Sequence, residues 1–341
     1  MRAIVFHRIG APLAVETVPD PSPKAGEVVL KVCSCGICGS DLHAASLPPG
    51  LPPKTVMGHE FSGEIVAVGA DAGNKWKEGD RVCALPFVAC GKCEACLSGD
   101  GIRCMKIRAT GLGQIPGAYA EYVIAGSSEL LKLPESVSFQ QGALVEPVAV
   151  GLNAVNRSEI RRGDSVLVVG AGPVGLVTAM WARFFGARHV IVSEKSPGRL
   201  EMAAKFGATG VIDASRQSPA AEFAKLAGGP PDVVFECVGV PGLIQQCIQT
   251  VKPRGRIVVV GVCSQNDTIF PLLAVIKEVR MDFVVGYRRQ DFQFTLDMMA
   301  AGRIDPLQMV TGVTGLQGFP DAFEALKVPD RQCKVMLDPW Q

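Results

Sequence analysis

The sequence has almost no net charge, which excludes the partners that a strongly charged surface would attract. Its 341 residues include 34 lysines and arginines against 33 aspartates and glutamates, for a formal charge of +1. Nucleic acids and anionic membranes are recognised largely through an excess of positive charge. We therefore expect no nucleic acid and no membrane among the partners of this protein.

The sequence also lacks a long uninterrupted hydrophobic segment. Its longest uncharged stretch, residues 166–182, approaches the length of a membrane span, but three glycines and a proline interrupt the first half. The apolar N-terminal run ends at His7 and Arg8, too early for the hydrophobic region of a signal peptide. These features predict a cytoplasmic protein.

Aromatic residues are scarce, whereas cysteine is abundant. With three tryptophans and three tyrosines, the sequence does not predict the lining of a binding pocket. The twelve cysteines, in the absence of a secretory signal, indicate metal binding or buried thiols rather than a disulfide framework.

Four of the cysteines form a compact motif. They follow the pattern CxxCxxC with a fourth cysteine after seven further residues, at Cys90, Cys93, Cys96 and Cys104. Four thiolates complete the tetrahedral coordination of zinc and leave no position for a substrate. The motif predicts a structural zinc site that stabilises a glycine-rich lobe.

A second group of possible ligands has a mixed composition. Cys38, His59 and Glu60 lie in one short stretch of the chain, with hydroxyl and carboxylate side chains between them. A thiolate combined with an imidazole suits a zinc ion that keeps one coordination position open for substrate. This stretch predicts a catalytic metal site.

The periodicity of the sequence changes near residue 150. Residues 1–150 contain short β-type runs separated by glycine- and proline-rich loops, which indicates a folded-over antiparallel sheet or barrel. From residue 151 strands alternate with helices, and six strands would complete a doubly wound parallel sheet. The chain is therefore predicted to be an α/β protein of two domains.

A glycine-rich turn opens the second region. It follows the apolar strand 165–169 and precedes an apolar helix, the context of a dinucleotide-binding fingerprint. Such glycines let the backbone approach a pyrophosphate at the helix N-terminus. The predicted cofactor contacts in the turn are Gly170, Gly172, Pro173, Val174 and Gly175.

An acidic residue at the end of the next strand bears on the choice of cofactor. Glu194 can accept hydrogen bonds from ribose hydroxyls and would repel a 2′-phosphate, which favours NAD over NADP. Lys195 and Arg199 are close enough in sequence to weaken this preference. Arg199 is a candidate contact to the cofactor, with a solvated helix residue as the alternative.

Together these motifs resemble the zinc-dependent medium-chain dehydrogenase/reductases, the alcohol dehydrogenase family, and within it the sorbitol and butanediol dehydrogenase branch. The matching segments are 36–41, 58–60, 79–82, the four-cysteine lobe, 143–147 and 170–175. The resemblance implies a GroES-like, mainly β catalytic domain from residues 1–150 and 287–341. A Rossmann domain, residues 151–286, would be inserted between these two parts.

The resemblance also implies roles at the catalytic zinc. Cys38 and His59 would be ligands, and Glu146 would be the third ligand or a neighbour of the metal through water. Glu60 would be a carboxylate beside the metal that takes part in ligand exchange. Asp41 would accept the second N–H of His59, although an aspartate here can instead cap a helix.

The implied activity is reversible hydride transfer between NAD and a secondary alcohol, which can be a diol, a polyol or a less polar carbinol, with a ketone as product. Ser40 and His43 would relay the proton to solvent, although His43 can also be an ordinary loop histidine. Val238 and Val262 would line the nicotinamide side, with core valines as the alternative. A metal-independent NADPH quinone or enoyl reductase on the same fold is the second hypothesis, and the zinc ligands argue against it.

The chain departs from this branch where an arginine–tyrosine pair would bind polyol hydroxyls. The matching positions here are Gly286 and Tyr287, while Arg288 and Arg289 follow. The missing arginine favours a small diol or a less polar secondary alcohol over a polyol. The family further implies a homodimer or homotetramer, with the strand at 282–285 as the exposed edge.

Overall fold

The computed structural model of the protein describes residues 1–72, 75–328 and 332–341. The chain forms two compact units. Unit 1 comprises Met1–Glu146, Tyr287–Val328 and Lys334–Gln341, and unit 2 comprises Pro147–Gly286 with a short segment that ends at Cys333. None of the described helices combines the length and hydrophobicity that crossing a bilayer requires.

The elements are numbered in chain order. The first part of unit 1 contains β1 (Arg2–Phe6), β2 (Ala14–Thr17), β3 (Glu27–Gly36), α1 (Gly39–Ser46), β4 (Thr55–Val56), β5 (Glu60–Val68), β6 (Arg81–Ala84), β7 (Phe87–Val88), α2 (Glu94–Leu97), β8 (Arg108–Ala109), β9 (Tyr122–Gly126), β10 (Leu130–Lys132) and the start of α3 (Phe139–Ser158). Unit 2 continues with β11 (Ser165–Val169), α4 (Pro173–Phe184), β12 (His189–Glu194), α5 (Pro197–Ala203), β13 (Gly210–Asp213), α6 (Pro219–Ala227), β14 (Val233–Glu236), α7 (Leu243–Thr250), β15 (Arg256–Val259), α8 (Pro271–Lys277) and β16 (Arg280–Phe283). The chain then returns to unit 1 with α9 (Arg289–Ala300), β17 (Val310–Thr314), α10 (Phe319–Ala325) and β18 (Lys334–Leu337). Short 3-10 helices lie at Gly101–Arg103, Ala204–Phe206 and Pro306–Met309.

The main sheet of unit 1 is centred on β3. Its strand order is β10-β6-β5-β3-β18-β17, and β9 also pairs with β3. Alternate residues of β3, Val28, Leu30 and Val32, point to one face of the sheet and pack in the core of unit 1 with Phe61 of β5. Because β18 pairs antiparallel with β3, the last residues of the chain complete this sheet.

Unit 2 contains a six-stranded parallel sheet in the order β13-β12-β11-β14-β15-β16. The central strand β11 is apolar on both faces, as expected where helices cover both sides of a parallel sheet. This architecture confirms the prediction of an α/β fold with a doubly wound parallel sheet.

Some predicted elements are displaced along the chain. The strand predicted at 282–285 is β16 at Arg280–Phe283, because its pairing with β15 aligns Val259 with Phe283. The backbone then turns at Gly286, whose φ of 57° favours glycine.

Candidate active site and metal centres

A cysteine, a histidine and a glutamate lie together where β3 and β5 meet in unit 1. Cys38 follows β3 directly, and His59 and Glu60 lie at the start of β5. One ligand atom from each of the three side chains lies within 4.8 Å of the others. The antiparallel register that pairs Gly36 with Glu60 brings the two segments into this arrangement.

The orientation of His59 leaves one ring nitrogen available for a metal. Its Nδ1 lies 3.3 Å from Oδ1 of the buried Asp41, an ion-pair distance, and neither atom has a hydrogen-bond partner among the described residues. Its Nε2 lies 3.4 Å from Oγ of Ser40. A thiolate, an imidazole nitrogen and a carboxylate form a donor set that fits zinc.

The position of Asp41 is compatible with both of the roles considered for it. Its Oδ2 accepts the backbone N–H of Cys38 at 3.2 Å and thereby caps the start of α1, while Oδ1 faces His59. Burial opposes protonation of His59, but the charges of Asp41 and Cys38 outweigh burial and raise the pKa of the imidazole well above its usual range. The two anionic groups thus stabilise positive charge at this position.

Glu60 is fully buried, and a lysine neutralises its charge. Nζ of Lys334, the first residue of β18, donates to both carboxylate oxygens at 2.7 Å and to the carbonyl oxygen of Ile37 at 2.7 Å. A Cβ atom at Gly36 would lie 2.1 Å from Oε2 of Glu60, so a larger residue at this position would have to displace the carboxylate. Glu60 lies in the ligand cluster, but its charge is already compensated.

Glu146 lies on α3, outside the group of atoms within 4.8 Å. Its Oε1 accepts a hydrogen bond of 3.0 Å from the hydroxyl of Tyr287. Burial raises the pKa of Glu146 to about 7, against the opposing effect of the nearby His59. The carboxylate is therefore close enough to interact electrostatically with the cluster, and its partner is neutral.

The ring of Tyr287 and the two arginines that follow it make contacts with groups other than Glu146. The ring of Tyr287 stacks on Phe292 with 5.3 Å between the ring centroids. Arg289 donates to the carbonyl oxygens of Ser128 and Leu130. Nε of Arg288 lies 3.8 Å from Asp100, in the four-cysteine lobe.

Ser40 and His43 both lie on α1, three residues apart and hence on the same side of the helix. Both side chains are half-buried. Two polar side chains thus lie on one side of the helix that follows Cys38.

The four cysteines of the second motif also converge. Cys90, Cys93, Cys96 and Cys104 each offer a sulfur within 4.8 Å of the others, and all are free thiols. The Sγ–Sγ distances are 3.4 Å for Cys93–Cys96 and 3.9 Å for Cys90–Cys96. A tetrahedron with Zn–S distances of about 2.3 Å has edges of roughly 3.8 Å, so the arrangement fits a closed zinc site.

The three glycines of the glycine-rich turn in unit 2 meet different structural requirements. Gly170 has a φ of +100°. A Cβ atom at Gly175 would lie 2.0 Å from the carbonyl oxygen of Gly170, whereas a Cβ atom at Gly172 would meet no atom within 4 Å. Gly172 therefore leaves open space in front of α4, whose first residues are Pro173 and Val174.

Glu194 lies beside this turn at the end of β12. Its Oε2 accepts the N–H of Ala171 at 2.8 Å, and Oε1 accepts the N–H groups of Lys195 and Ser196. Arg199 donates to the carbonyl oxygen of Gln332 at 3.2 Å. The side chain of Arg199 is thus held within unit 2 by the backbone carbonyl of Gln332 and is not freely solvated.

Val238 and Val262 follow two neighbouring strands of the parallel sheet. They are 39% and 60% exposed, which excludes the alternative that they are core residues. Val238 also lies next to the turn, because a Cβ atom at Gly170 would approach its Cγ2 to 2.7 Å. Both residues lie beyond the carboxyl ends of these strands, the end of the sheet at which parallel α/β folds bind ligands.

Comparison with known proteins identifies the family. The alcohol dehydrogenase GroES-like domain matches residues 24–135, and the zinc-binding dehydrogenase domain matches residues 173–301. Sorbitol dehydrogenase of Bacillus subtilis is 34% identical over 99% of this chain and 97% of its own length. The chain belongs to the zinc-dependent alcohol dehydrogenase family.

Solved structures of this family extend the likeness to the whole fold. The 2R,3R-butanediol dehydrogenase of B. subtilis is 34% identical, with a TM-score of 0.89 and 99% of each chain covered. An Escherichia coli alcohol dehydrogenase complexed with NADH is 29% identical, with the same TM-score and coverage. The predicted resemblance to the sorbitol and butanediol branch is confirmed, and a metal-independent reductase is not favoured.

The protein is therefore an oxidoreductase that acts on CH–OH groups. Sequence reasoning missed two residues of this alcohol dehydrogenase that contact the predicted site. Lys334 pairs with Glu60, and the hydroxyl of Tyr119 donates to Asp41 at 2.5 Å. The only signal for Lys334 was a lysine at the start of the apolar strand β18.

Replacing Lys334 with methionine should strongly destabilise this alcohol dehydrogenase. The substitution keeps the apolar volume but leaves Glu60 buried without a counterion, which typically costs about 3–5 kcal/mol. The free energy of unfolding from urea titration measures this loss. Adding Glu60→Gln to the same variant should recover part of it.

Lys132→Met is the matched control, because Lys132 is 67% exposed and pairs with Asp80 at 3.1 Å. We expect a loss of about 1 kcal/mol or less there. Equal losses for the two methionine variants would contradict the importance of the buried pair.

Proposed function

We propose that this enzyme interconverts secondary alcohols and ketones with NAD, and that its substrates are small diols or less polar carbinols. The observation that carries the proposal is the convergence of Cys38, His59 and Glu60 within 4.8 Å, with the buried carboxylate of Glu146 near His59. The relatives that support it are named for sorbitol and butanediol, both of which carry secondary hydroxyl groups.

Cys38 and His59 would hold the catalytic zinc together with one carboxylate. Zinc in such a site lowers the pKa of a bound hydroxyl group and polarises a carbonyl group. Glu60 is already paired with Lys334, whereas the only hydrogen-bond donor to Glu146 among the described residues is Tyr287. We therefore assign the third ligand to Glu146, and to Glu60 the part of a buried charge beside the metal. Cys90, Cys93, Cys96 and Cys104 would hold the structural zinc.

Ser40 and His43 would move the substrate proton. Oγ of Ser40 lies 3.4 Å from Nε2 of His59, so its hydroxyl can donate to or accept from a substrate oxygen beside this nitrogen. His43, further along α1, would pass the proton to solvent. Residues of α1 would thus provide a route by which the substrate proton leaves the buried site.

The turn at Gly170–Gly175 would bind the pyrophosphate of the cofactor, with Val238 and Val262 on the nicotinamide side. Glu194 lies against the turn and would accept the ribose hydroxyls, which favours NAD over NADP. The contact of Arg199 with Gln332 argues that it acts at most indirectly on this choice. The reducing cytoplasm is the proposed location, in keeping with twelve free thiols.

The expected substrate preference follows from the polar groups near Tyr287, which already have hydrogen-bond partners in the protein. Its hydroxyl is engaged by Glu146, and Arg289 is bound to backbone carbonyls. We expect 2,3-butanediol and cyclic carbinols to exceed sorbitol and xylitol in kcat/KM by roughly tenfold or more. Initial rates of NAD reduction across this panel measure the difference. Faster turnover of sorbitol would show that another group binds the additional hydroxyls.

Two glycine substitutions separate cofactor binding from folding. Gly172→Ala adds a methyl group in open space, so the protein should fold normally but bind NADH roughly tenfold or more weakly. Gly175→Ala forces a methyl group against a backbone oxygen and should cost about 1–3 kcal/mol of stability. Fluorescence titration with NADH and thermal unfolding distinguish the two. Unchanged NADH affinity in Gly172→Ala would contradict the proposed pyrophosphate site.

We also propose a homodimer or homotetramer that forms through the β16 edge. β16 is the last strand of the parallel sheet, and Phe283 on it is exposed, as are Val275 and Ile276 of the preceding helix α8. An open edge beside apolar side chains is a typical site for a second copy. Light scattering at micromolar concentration should give at least a dimer, and Ile276→Glu should weaken it. A monomeric wild-type protein would refute this assembly.

A further inference from the structure

Tyr119 occupies a fully buried position next to the predicted ligand His59. Its backbone N–H donates to the carbonyl oxygen of Met57, and the N–H of Ala118 donates to that of Gly58. Its ring packs on Phe319 of α10, with 4.5 Å between the ring centroids. The tyrosine is therefore fixed to the segment that leads into His59.

The hydroxyl of Tyr119 has a more specific contact than its ring. It donates to Oδ2 of Asp41 at 2.5 Å. The same oxygen accepts the N–H of Cys38, and the other oxygen of Asp41 faces Nδ1 of His59. A single buried carboxylate thus links Tyr119, the backbone of one predicted ligand and the ring of the other.

Without the tyrosine hydroxyl, the orientation of this carboxylate would be poorly fixed. Oδ2 would retain only the 3.2 Å contact with the N–H of Cys38. Gly58 makes room for the tyrosine, because a Cβ atom there would lie 2.4 Å from Cδ1 of the ring. The glycine beside His59 therefore permits the position from which the hydroxyl reaches Asp41.

We propose that Tyr119 is a positioning residue for the catalytic metal site. Its hydroxyl orients Asp41 so that Asp41 holds the Nδ1–H of His59 and directs Nε2 towards the metal. Groups that orient a histidine ligand typically change metal affinity by roughly 10- to 100-fold when they are removed. The inference rests on the proposed zinc site at Cys38 and His59.

The test compares zinc release from Tyr119→Phe and from the wild-type enzyme. Phenylalanine keeps the ring between Gly58 and Phe319 and removes only the hydroxyl. We expect zinc transfer to a chromophoric chelator to show two kinetic phases, one for each zinc ion. The phase that is absent in Cys38→Ser is the one from the catalytic site. Tyr119→Phe should accelerate that phase roughly 10- to 100-fold. The phase from the four cysteines serves as the internal reference and should not change.

Tyr122→Phe is the matched control, because Tyr122 lies on β9 with its ring against Trp340. It should release both zinc ions at the wild-type rates. In an Asp41→Asn background, Tyr119→Phe should lose most of its effect, because the hydroxyl acts through that carboxylate.

Three results would overturn the inference and leave the proposed zinc site intact. Release from Tyr119→Phe at the wild-type rate would exclude a role for the hydroxyl. Acceleration of both phases together would indicate general packing. An undiminished effect in the Asp41→Asn background would exclude action through Asp41. A wild-type protein that binds a single zinc ion would instead overturn the proposed catalytic site itself, and this inference with it.

Discussion

The ion pair between Glu60 and Lys334 is the constraint on which the rest of unit 1 depends. Both side chains are almost completely buried, with an N–O distance of 2.7 Å. A lone buried carboxylate would be strongly destabilising, so the lysine must be present whenever β5 carries this glutamate. The lysine comes from the other end of the chain, and β18 must therefore lie next to β3 for the pair to form.

This pairing explains why the chain returns to unit 1 after the parallel sheet. β18 brings Lys334 to Glu60, and α10 adds Phe319 to the core that supports Tyr119. The site is thus assembled from residues far apart in the sequence. In contrast, the four-cysteine lobe is local: its ligands lie within fifteen residues, and short turns suffice to bring them together.

The success of prediction from the sequence differs in the same way between local features and long-range contacts. The parallel sheet, the glycine-rich turn and the four-cysteine motif depend on local periodicity and spacing, and the sequence predicted them. Lys334 and Tyr119 were missed because their contacts span 274 and 78 residues, distances over which no spacing rule applies. The small displacement of β16 has a similar cause, since pairing with β15 determines its ends. The roles of individual site residues stay predictions.

The distribution of charge in the site bears on the choice between the two glutamates. Asp41 faces His59 and Glu60 is paired with Lys334, so each of these carboxylates has a partner that can carry a positive charge. Among the described residues, the neutral hydroxyl of Tyr287 is the one hydrogen-bond donor to Glu146, and burial raises the pKa of this carboxyl to about 7. A cation that enters the site would gain most from the carboxylate that has no ion-pair partner among the described residues. If Glu60 instead became the ligand, Lys334 would lose its partner in a buried environment. Charge compensation therefore favours Glu146 as the group that completes the metal site, with Glu60 and Lys334 as the fixed pair beside it.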